Sequence, residues 1–441
     1  MAASESGRRS HRGSVAPLYK QLPHGPHRLD HNQVIRNQRA RIQGAMVEAI
    51  AASGYEHASV RQVVALAGVS RRSFYELFAN KQECFLATFD VIAARGMKGV
   101  RRTYQASEGD LEDRLSACYE EFVDGVKTNW NDARLTIVEA QSVVPAGLER
   151  LVRTTAAFEQ MLSSTFAHTP DAIRLPSPVV TGIVGGLHAA TSSCLREGHA
   201  RELHALSEGM LRWTLVFQTP AAMSITERPI DPARHSAARA DGVASGDPAA
   251  QDCRERLLHH ALALALIEDY KELSAPQIAE EAGVSIDTFF ELFPGKNECF
   301  LAALDTLGNE VLELIADPEL LHGDWARAIR RVITELMLYL AERPLYAQTL
   351  AAGAFAAGPE SAARIRDIGR SASTLLAEGA PEPARSSIAV DGIRGAIWHT
   401  IRSQAQAGTL ERLPAFSDHL SYVVLAPFIG GDAAAAIVTE N

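Results

Sequence analysis

The sequence predicts an all-α protein made of two similar helical units in tandem. The chain is rich in alanine, has few runs of β-branched residues, and is only 6% aromatic; this composition favours helices. A segment near the N-terminus returns with many identical residues 215 positions later. Each copy contains two short helical patterns that are joined at a glycine, so one helical module is expected to occur twice.

Several classes of protein do not fit this chain. Five cysteines among 441 residues are too few for a disulfide-stapled domain. The longest apolar run, Tyr422–Val438, is broken by Pro427 and Gly430, so it does not predict a membrane span. We recognise no nucleophile elbow, phosphate-binding loop, metal-ligand spacing or carboxylate pair. We therefore expect a cytoplasmic protein that is not an enzyme and uses no cofactor or metal.

The strongest signal is the internal repeat. Residues 59–90 and 274–305 align without a gap and are identical at 17 of 32 positions, including the blocks AGVS, ELF and ECFLA. A weaker similarity continues downstream at a shift of 210, where Gly185 aligns with Gly395. The whole unit is therefore duplicated, and each copy has the size of one domain.

The front of the first unit has the pattern of three helices. Residues 36–52 carry apolar side chains at helical spacing. Ser59 is suited to cap a second helix, and Ser70 a third. Gly68 permits the left-handed turn between them. Two short helices joined in this way form a helix-turn-helix.

The second helix of such a motif enters the major groove of DNA and leads with its N-terminal residues. Here those residues are Arg71, Arg72 and Ser73. An arginine can donate two hydrogen bonds to O6 and N7 of guanine. We therefore predict that this helix reads base sequence.

Four further residues are predicted to contact DNA. The hydroxyl of Tyr75 can reach a phosphate, and Lys81 begins a helix whose N-terminal amides favour one. Arg61, in the first turn of the second helix, can reach a base or the backbone. Ser59 can add a phosphate contact to its role as a cap.

The order AGVS-x-x-x-FY-x-x-F-x-x-K, which ends at Lys81, resembles the DNA-binding domain of TetR-family transcriptional regulators. The resemblance covers residues 36–90 well, and the two bodies by size, helical pattern and a similar pair of C-terminal helices. It implies a three-helix head on a helical body that binds ligand and dimerises. Members of this family usually repress promoters and release DNA when a small molecule binds.

The second head departs from this pattern at its outer surface. In place of Arg61, Arg71, Arg72 and Tyr75 it has Pro276, Ile286, Asp287 and Phe290, whereas Lys81 is retained as Lys296. The formal charge also differs. Residues 38–81 contain six Lys or Arg and three Glu, which gives +3. The aligned residues 253–296 contain four Lys or Arg and eight Asp or Glu, which gives −4. An acidic surface repels phosphate. We expect a second head that keeps the fold and has lost DNA binding.

The expected order along the chain follows from these assignments. It is a basic mobile tail (1–34), a helix-turn-helix DNA-binding domain (35–90), a helical ligand-binding and dimerisation body (91–218), a linker (219–252), a degenerate helix-turn-helix domain (253–305), a second helical body (306–430) and a tail (431–441).

These features predict a ligand-responsive transcriptional regulator, most simply a repressor, that reads double-stranded DNA through residues 59–81. Two alternatives stay open at this point. Both heads could bind one asymmetric operator, or the chain could be a ligand-binding or protein-interaction module that binds no DNA. The expected effector is small and has apolar bulk, because helical bodies offer mostly apolar pockets.

The two units are expected to pair with each other. The resemblance implies that the last two helices of each body join a four-helix bundle, and such helix pairs lie near 179–217 and 387–428. The linker is long enough for pairing within one chain, where the effective concentration is roughly millimolar. We predict an internal pseudo-dimer, with further homodimerisation on DNA as the alternative.

Overall fold

The computed structural model describes residues 31–168, 173–198, 203–228, 248–268, 270–353, 357–381 and 387–440. Within these ranges every regular element is a helix, and the all-α prediction is confirmed. The chain divides into two compact units, one ending at Val91 and the other beginning at Ile92.

The first unit is a small helical head. Its helices are α1 (His31–His57), α2 (Val60–Ala67), α3 (Arg71–Leu77) and the beginning of α4 (Lys81–Ala106). Fully buried side chains from all four helices form its core, among them Met46, Val63, Phe74 and Phe85. The head therefore rests on apolar contacts between helices, because α2 and α3, of 8 and 7 residues, are too short to be stable alone.

The predicted tail 1–34 is wrong at its end. α1 already begins at His31, because the half-buried Val34 and Ile35 extend its apolar face upstream. Residues 1–30 lie outside the described residues.

The second unit contains the first body, the second head and the second body. The helices of the first body are α5 (Leu111–Thr128), α6 (Trp130–Ala133), α7 (Ala146–Ala167), α8 (Ser177–Glu197) and α9 (Leu203–Leu215). The second head consists of α10 (Pro248–Ile267), α11 (Ala275–Glu281), α12 (Ile286–Leu292) and α13 (Lys296–Ile315). The second body consists of α14 (Pro318–Leu321), α15 (Trp325–Glu342), α16 (Pro344–Gln348), α17 (Pro359–Ala377), α18 (Ser387–Ala407), α19 (Ser417–Ile429) and α20 (Gly431–Thr439).

The two bodies share one apolar core. α8 of the first body packs along α18 of the second, and α19 also contacts α8. Across this contact the ring of Phe217 lies 5.7 Å from that of Tyr422. Helix α8 is long and apolar enough to cross a membrane, but 72% of its most apolar window is buried inside the protein. Its apolar surface is therefore accounted for by packing on the second body.

Small residues bring α8 and α18 close together. Gly185 and Gly395, which align in the downstream repeat, face each other: a methyl group on Gly185 would lie 2.6 Å from the carbonyl oxygen of Gly395. A methyl group on Gly186 would lie 2.6 Å from the ring of Trp213. The glycines thus permit a backbone approach that no other residue allows.

Ionisable groups are buried where the bodies meet. The rings of His188 and His399 are 5.4 Å apart, and Nη2 of Arg402 lies 2.9 Å from Nδ1 of His399. Burial, followed by the charge of Arg402, lowers the pKa of His188 to about 3 and that of His399 well below its ordinary value. Both imidazoles are therefore neutral at physiological pH.

The predicted C-terminal tail, 431–441, is wrong. Residues 431–439 form α20, in which Ala434 and Val438 are fully buried. The carboxylate of Asp432 also accepts a hydrogen bond from the hydroxyl of Thr219. Gly430, with φ of 85°, bends the chain between two helices and does not end the fold.

The predicted linker 219–252 is helical at both ends. Residues 220–224 form a 3₁₀ turn with a buried Ala222, and α10 already begins at Pro248. At the first of these ends, Ala222 and Ile225 are buried and belong to the apolar core that the two bodies share. Residues 229–247 lie outside the described residues.

Candidate nucleic-acid interface

The first head has the helix-turn-helix geometry that the sequence predicts. α2 begins with a capping box, in which the amide of Gln62 donates to Ser59 Oγ at 3.3 Å and the amide of Ser59 donates to Gln62 Oε1 at 2.8 Å. This arrangement satisfies two amides that have no partner within the helix. The cap role of Ser59 is therefore present, while its phosphate contact stays a prediction.

The turn between α2 and α3 is fixed by backbone conformation and by one arginine. Gly68 has φ of 59° and ψ of 40°, the left-handed conformation that favours glycine. The guanidinium of Arg41 donates to the carbonyl of Gly68 at 2.9 Å and also to that of Ala67. This bond satisfies carbonyls at the end of α2 and ties the turn to α1.

α3 buries one face and exposes the other. Ser70 caps it by accepting from the amide of Ser73 at 2.9 Å, and Phe74 is fully buried. On the outer face the side chain of Arg72 is 89% exposed and pairs with Glu76 at 2.9 Å. An exposed pair of this kind contributes little to stability, so Arg72 can exchange Glu76 for DNA at small cost.

Arg71 and Tyr75 share the outer face of α3. The guanidinium carbon of Arg71 lies 5.6 Å from the centre of the Tyr75 ring, and Tyr75 is 45% exposed. Arg61 is exposed in the first turn of α2. Ser73 is half-buried, and its hydroxyl lies 2.9 Å from that of Ser70. The structure thus brings Arg61, Arg71, Arg72 and Tyr75 to the head's surface and leaves Ser73 partly engaged within it.

Lys81 makes a different set of contacts from those expected of a phosphate ligand. Its ammonium donates to the carbonyls of Tyr55 at 2.8 Å, Ala58 at 3.1 Å and Glu56 at 3.4 Å. It also lies 4.2 Å from the centre of the Tyr55 ring. These bonds satisfy carbonyls at the C-terminal end of α1. A phosphate contact by Lys81, which stays a prediction, would have to compete with them.

The second head repeats the internal contacts of the first, namely the helix caps and the lysine bonds, which we call the frame. Ser274 and Gln277 form the same capping box, and Ser285 caps α12. The ammonium of Lys296 donates to the carbonyls of Tyr270 at 2.7 Å, Leu273 at 2.5 Å and Lys271 at 3.2 Å. Lysine therefore recurs at this position together with its internal contacts, which supports a structural role for both lysines.

The outer face of the second recognition helix has changed its chemistry. Phe290 is 53% exposed and Ile286 is 38% exposed, where the first head has Tyr75 and Arg71. Asp287 is exposed beside them. This face offers neither the guanidinium donors that bind guanine nor the cations that bind phosphate.

Sequence reasoning missed two structural arginines in the first head, one of which repeats its contact in the second. Besides Arg41, the guanidinium of Arg39 lies 4.7 Å from the centre of the Phe78 ring. Arg254 repeats this contact with Phe293 at 5.6 Å. Retention of Arg39 as Arg254, at a shift of 215 residues, was the available signal that this arginine belongs to the repeated structure.

The paired cysteines of the repeat are also part of the frame. Cys84 and Cys299 are fully buried, and burial raises the pKa of each thiol to about 12. The reactive thiolate is therefore rare at neutral pH.

Comparison with known proteins agrees with the duplication. The model of bacterial regulatory proteins of the tetR family matches residues 44–88 and, a second time, residues 257–303. The structure is similar to the fatty acid degradation regulator FadR from Bacillus halodurans, with 17% identity and a TM-score of 0.36 over 40% of this chain and 94% of that one. It is similar to the same degree to the transcriptional regulator FadR from Bacillus subtilis in complex with stearoyl-CoA, of which 96% is covered. A comparison with curated proteins gives no match.

Proposed function

We propose that the chain is a transcriptional regulator that reads double-stranded DNA through the first head alone. The model of bacterial regulatory proteins of the tetR family matches both heads, which supports a regulator. Reading through the first head alone is supported by a contrast between the two heads. They share the capping boxes and the lysine bonds, but the exposed faces of α3 and α12 differ in charge. The first presents Arg71, Arg72 and Tyr75, and the second presents Ile286, Asp287 and Phe290.

In this proposal, Arg71 and Arg72 read base edges from the start of α3. Arg61 and Tyr75 hold the DNA backbone on either side and set the register of the helix in the groove. Ser59 and Ser70 keep the two helices in place through their caps, and Gly68 fixes the angle between them. The second head is proposed to keep its fold and to make no contact with DNA.

The regulator is proposed to act in the cytoplasm as a ligand-responsive repressor. A ligand that favours the DNA-free conformation must bind that conformation more tightly than the DNA-bound one. By linkage, operator DNA then lowers ligand affinity by the same factor by which the ligand lowers operator affinity. The helix that begins at Lys81 is the proposed carrier of this change, because it follows the head directly in the chain.

DNA selection tests the first part of the proposal. The full chain is used to select duplexes from a random library, and affinity for the selected DNA is measured against salt concentration. We expect binding that weakens steeply with salt and that falls about tenfold or more when Arg71 or Arg72 is replaced by alanine. Asp287→Ala is the matched control in the second head and should leave affinity unchanged.

Two results would contradict this reading. Failure to select any duplex that binds in a salt-dependent manner would favour a ligand-binding or protein-interaction module. Equal loss of affinity on replacing surface residues of the two heads, for example Arg71→Ala and Phe290→Ala, would favour joint binding of one asymmetric operator.

We further propose that the two units of one chain pair with each other, as the two subunits of a dimer would. The close contact of α8 with α18, and of Gly185 with Gly395, supports pairing of the two bodies within one molecule. Mass measurement of the free protein at micromolar concentration should give a single chain. A stable species of two chains would contradict the internal pair.

A further inference from the structure

A cavity of about 170 Å³ lies between the second body and α8 of the first body. Its walls come from α13, α15, α17 and α18, and α8 closes one side. A ligand in this cavity would therefore touch both members of the internal pair.

The lining has two chemically distinct parts. One part is aliphatic and is formed by Val311, Ile315, Leu336, Leu340, Ile365 and Ile401. The other part is charged and carries more cations than anions: four arginines, Arg196, Arg366, Arg370 and Arg394, and two carboxylates, Glu197 and Asp367. Such a division suits a ligand with an apolar body and one charged end.

Two of the four arginines are already neutralised. Arg394 lies 2.6 Å from Asp391 and donates to the hydroxyl of Ser193 at 2.8 Å. Arg370 lies 3.2 Å from Glu197 in an exposed pair. These two cations have carboxylate partners and do not require a ligand.

The other two guanidiniums have no carboxylate within 4.0 Å in the part of the chain that the structure describes. Arg196 bonds neutral groups, Gln141 Oε1 at 3.0 Å and Ser192 Oγ at 3.3 Å. Burial, followed by repulsion from Arg366, lowers the pKa of Arg196 to about 9, and Glu139 offsets this only in part. Burial also lowers the pKa of Arg366, and the adjacent carboxylate of Asp367 offsets this in part. Placing two half-buried cations in one cavity without a directly paired carboxylate is unfavourable.

The size of the cavity limits the apolar part of the ligand. An engineered protein cavity of about 150 Å³ holds one benzene molecule, and the present cavity is similar. It therefore has room for a single ring or a short branched chain, with the charged end placed at the arginines.

We propose that this cavity binds a small organic carboxylate whose apolar body is about the size of a phenyl ring, with Arg196 and Arg366 holding its charge. The inference deepens the proposed ligand response, on which it rests, and assigns the binding site to the contact between α8 of the first body and the second body. A carboxylate can accept two hydrogen bonds from a guanidinium. The ligand would be held by α8 from the first body and by α17 from the second.

The test is calorimetric titration of the full chain with matched ligand pairs. The probes are carboxylates with apolar bodies of four to ten carbons, including benzoate, phenylacetate and 3-phenylpropionate, each beside its neutral primary amide. Phenyl phosphate is added to separate a carboxylate site from a general anion site. At least one carboxylate should bind at least tenfold more tightly than its amide and more tightly than phenyl phosphate.

Variants locate the binding. Arg366→Gln and Arg196→Gln should each weaken carboxylate binding about tenfold, and Ala372→Leu should abolish it by filling the apolar part. Arg364→Gln is the control on the same helix, because Arg364 pairs with Asp305 at 3.3 Å outside the cavity lining. Thermal melts check folding: Arg366→Gln without ligand should melt no lower than the parent chain, because a mutual repulsion has been removed.

Several results would overturn the proposal. These are the absence of carboxylate binding across the series, equal affinity for the amides, preference for phenyl phosphate, and full affinity in both arginine variants. The measurement does not require DNA. Carboxylate binding without DNA binding would thus contradict the proposed regulator alone, whereas DNA binding without carboxylate binding would contradict this inference alone.

Discussion

The two heads share an internal frame and differ at the surface that would meet DNA. Both have the capping box, the left-handed glycine, the arginine stacked on a phenylalanine, and the lysine bonded to three carbonyls. The aligned segments 38–81 and 253–296 nevertheless differ by seven units of formal charge, from +3 to −4. The first head combines this frame with the cationic surface that is proposed to read DNA, and the second has the frame without those cations.

This comparison separates residues that hold the helix-turn-helix together from residues that are proposed to contact DNA. A cation retained in both heads, such as Lys81, is explained by the internal bonds that it makes. A cation present only in the first head, such as Arg71 or Arg72, makes few internal bonds, and its loss leaves the fold of the second head intact. The duplication thus acts as a control within one molecule.

The largest effect on DNA affinity should come from giving α3 of the first head the residues that α12 of the second head has at the same positions. Replacing Arg71 by Ile together with Arg72 by Asp removes two base contacts of about 1–3 kcal/mol each and adds a charge that repels phosphate. Affinity for the selected DNA should fall at least a hundredfold, measured by anisotropy titration. Unchanged melting would show that the head remains folded, and unchanged affinity would contradict the reading surface.

Acid should affect the second unit more than the first. His188 is half-buried and His399 is buried. Both are neutral, because their pKa values in the fold lie below the ordinary 6.5. The unfolded chain therefore binds more protons below pH 6.5, and stability falls as the pH falls, by about 1.4 kcal/mol per pH unit for each histidine. None of the histidine side chains described in the first head is buried.

Hydrogen exchange at pH 7 and pH 5 measures this difference. After correction for intrinsic rates, exchange should accelerate more in α8 and α18 than in α2. His188→Asn should reduce the pH dependence of the second unit. An equal pH response in both units would contradict the assignment to these histidines.

Replacing the shared lysines should have a smaller effect that is similar in both heads. Lys81→Met removes the donor to carbonyls at the end of α1, and Lys296→Met removes the donor to carbonyls in the turn between α10 and α11. Each loss costs about 1–3 kcal/mol. Local stability, measured by hydrogen exchange in α1 and α10, should fall by similar amounts. If Lys81→Met instead lowers the salt slope of DNA binding by about one unit without loss of stability, the lysine is a phosphate contact.

The smallest effect should follow from giving the first head the aromatic residue of the second. Tyr75→Phe removes one hydroxyl that is proposed to bond a phosphate, a change of about 0.5–1.5 kcal/mol. Affinity should fall several-fold, and by a similar factor for every DNA sequence. Phe290→Tyr is the reciprocal variant, and a gain of affinity there would show that the second head also touches DNA.

The head was predictable because its determinants are local. Ser59, Gly68 and Ser70 act on residues within a few positions of themselves, so their spacing is visible in the sequence. The internal repeat then supplied a second copy against which each position could be compared.

Other features depend on contacts between distant segments. The charge of Lys81 suggested a phosphate ligand, and only the fold brings its ammonium to the carbonyls of α1. Gly430 indicated the end of a domain, but buried Val438 shows that it is a bend. Arg196 and Arg366 come from different halves of the chain, and their meeting at one cavity requires the packing of α8 against the second body.

Hydrogen exchange of the full chain, with and without its selected DNA, tests the central claim in one sample. Slower exchange is expected over residues 59–81 of the first head, where DNA covers α2 and α3, with no change over residues 274–296 of the second. The matched segments have the same secondary structure, so each serves as the reference for the other. Equal slowing in both heads, or slowing in the second alone, would contradict the division between a head that reads DNA and a head that keeps only the frame.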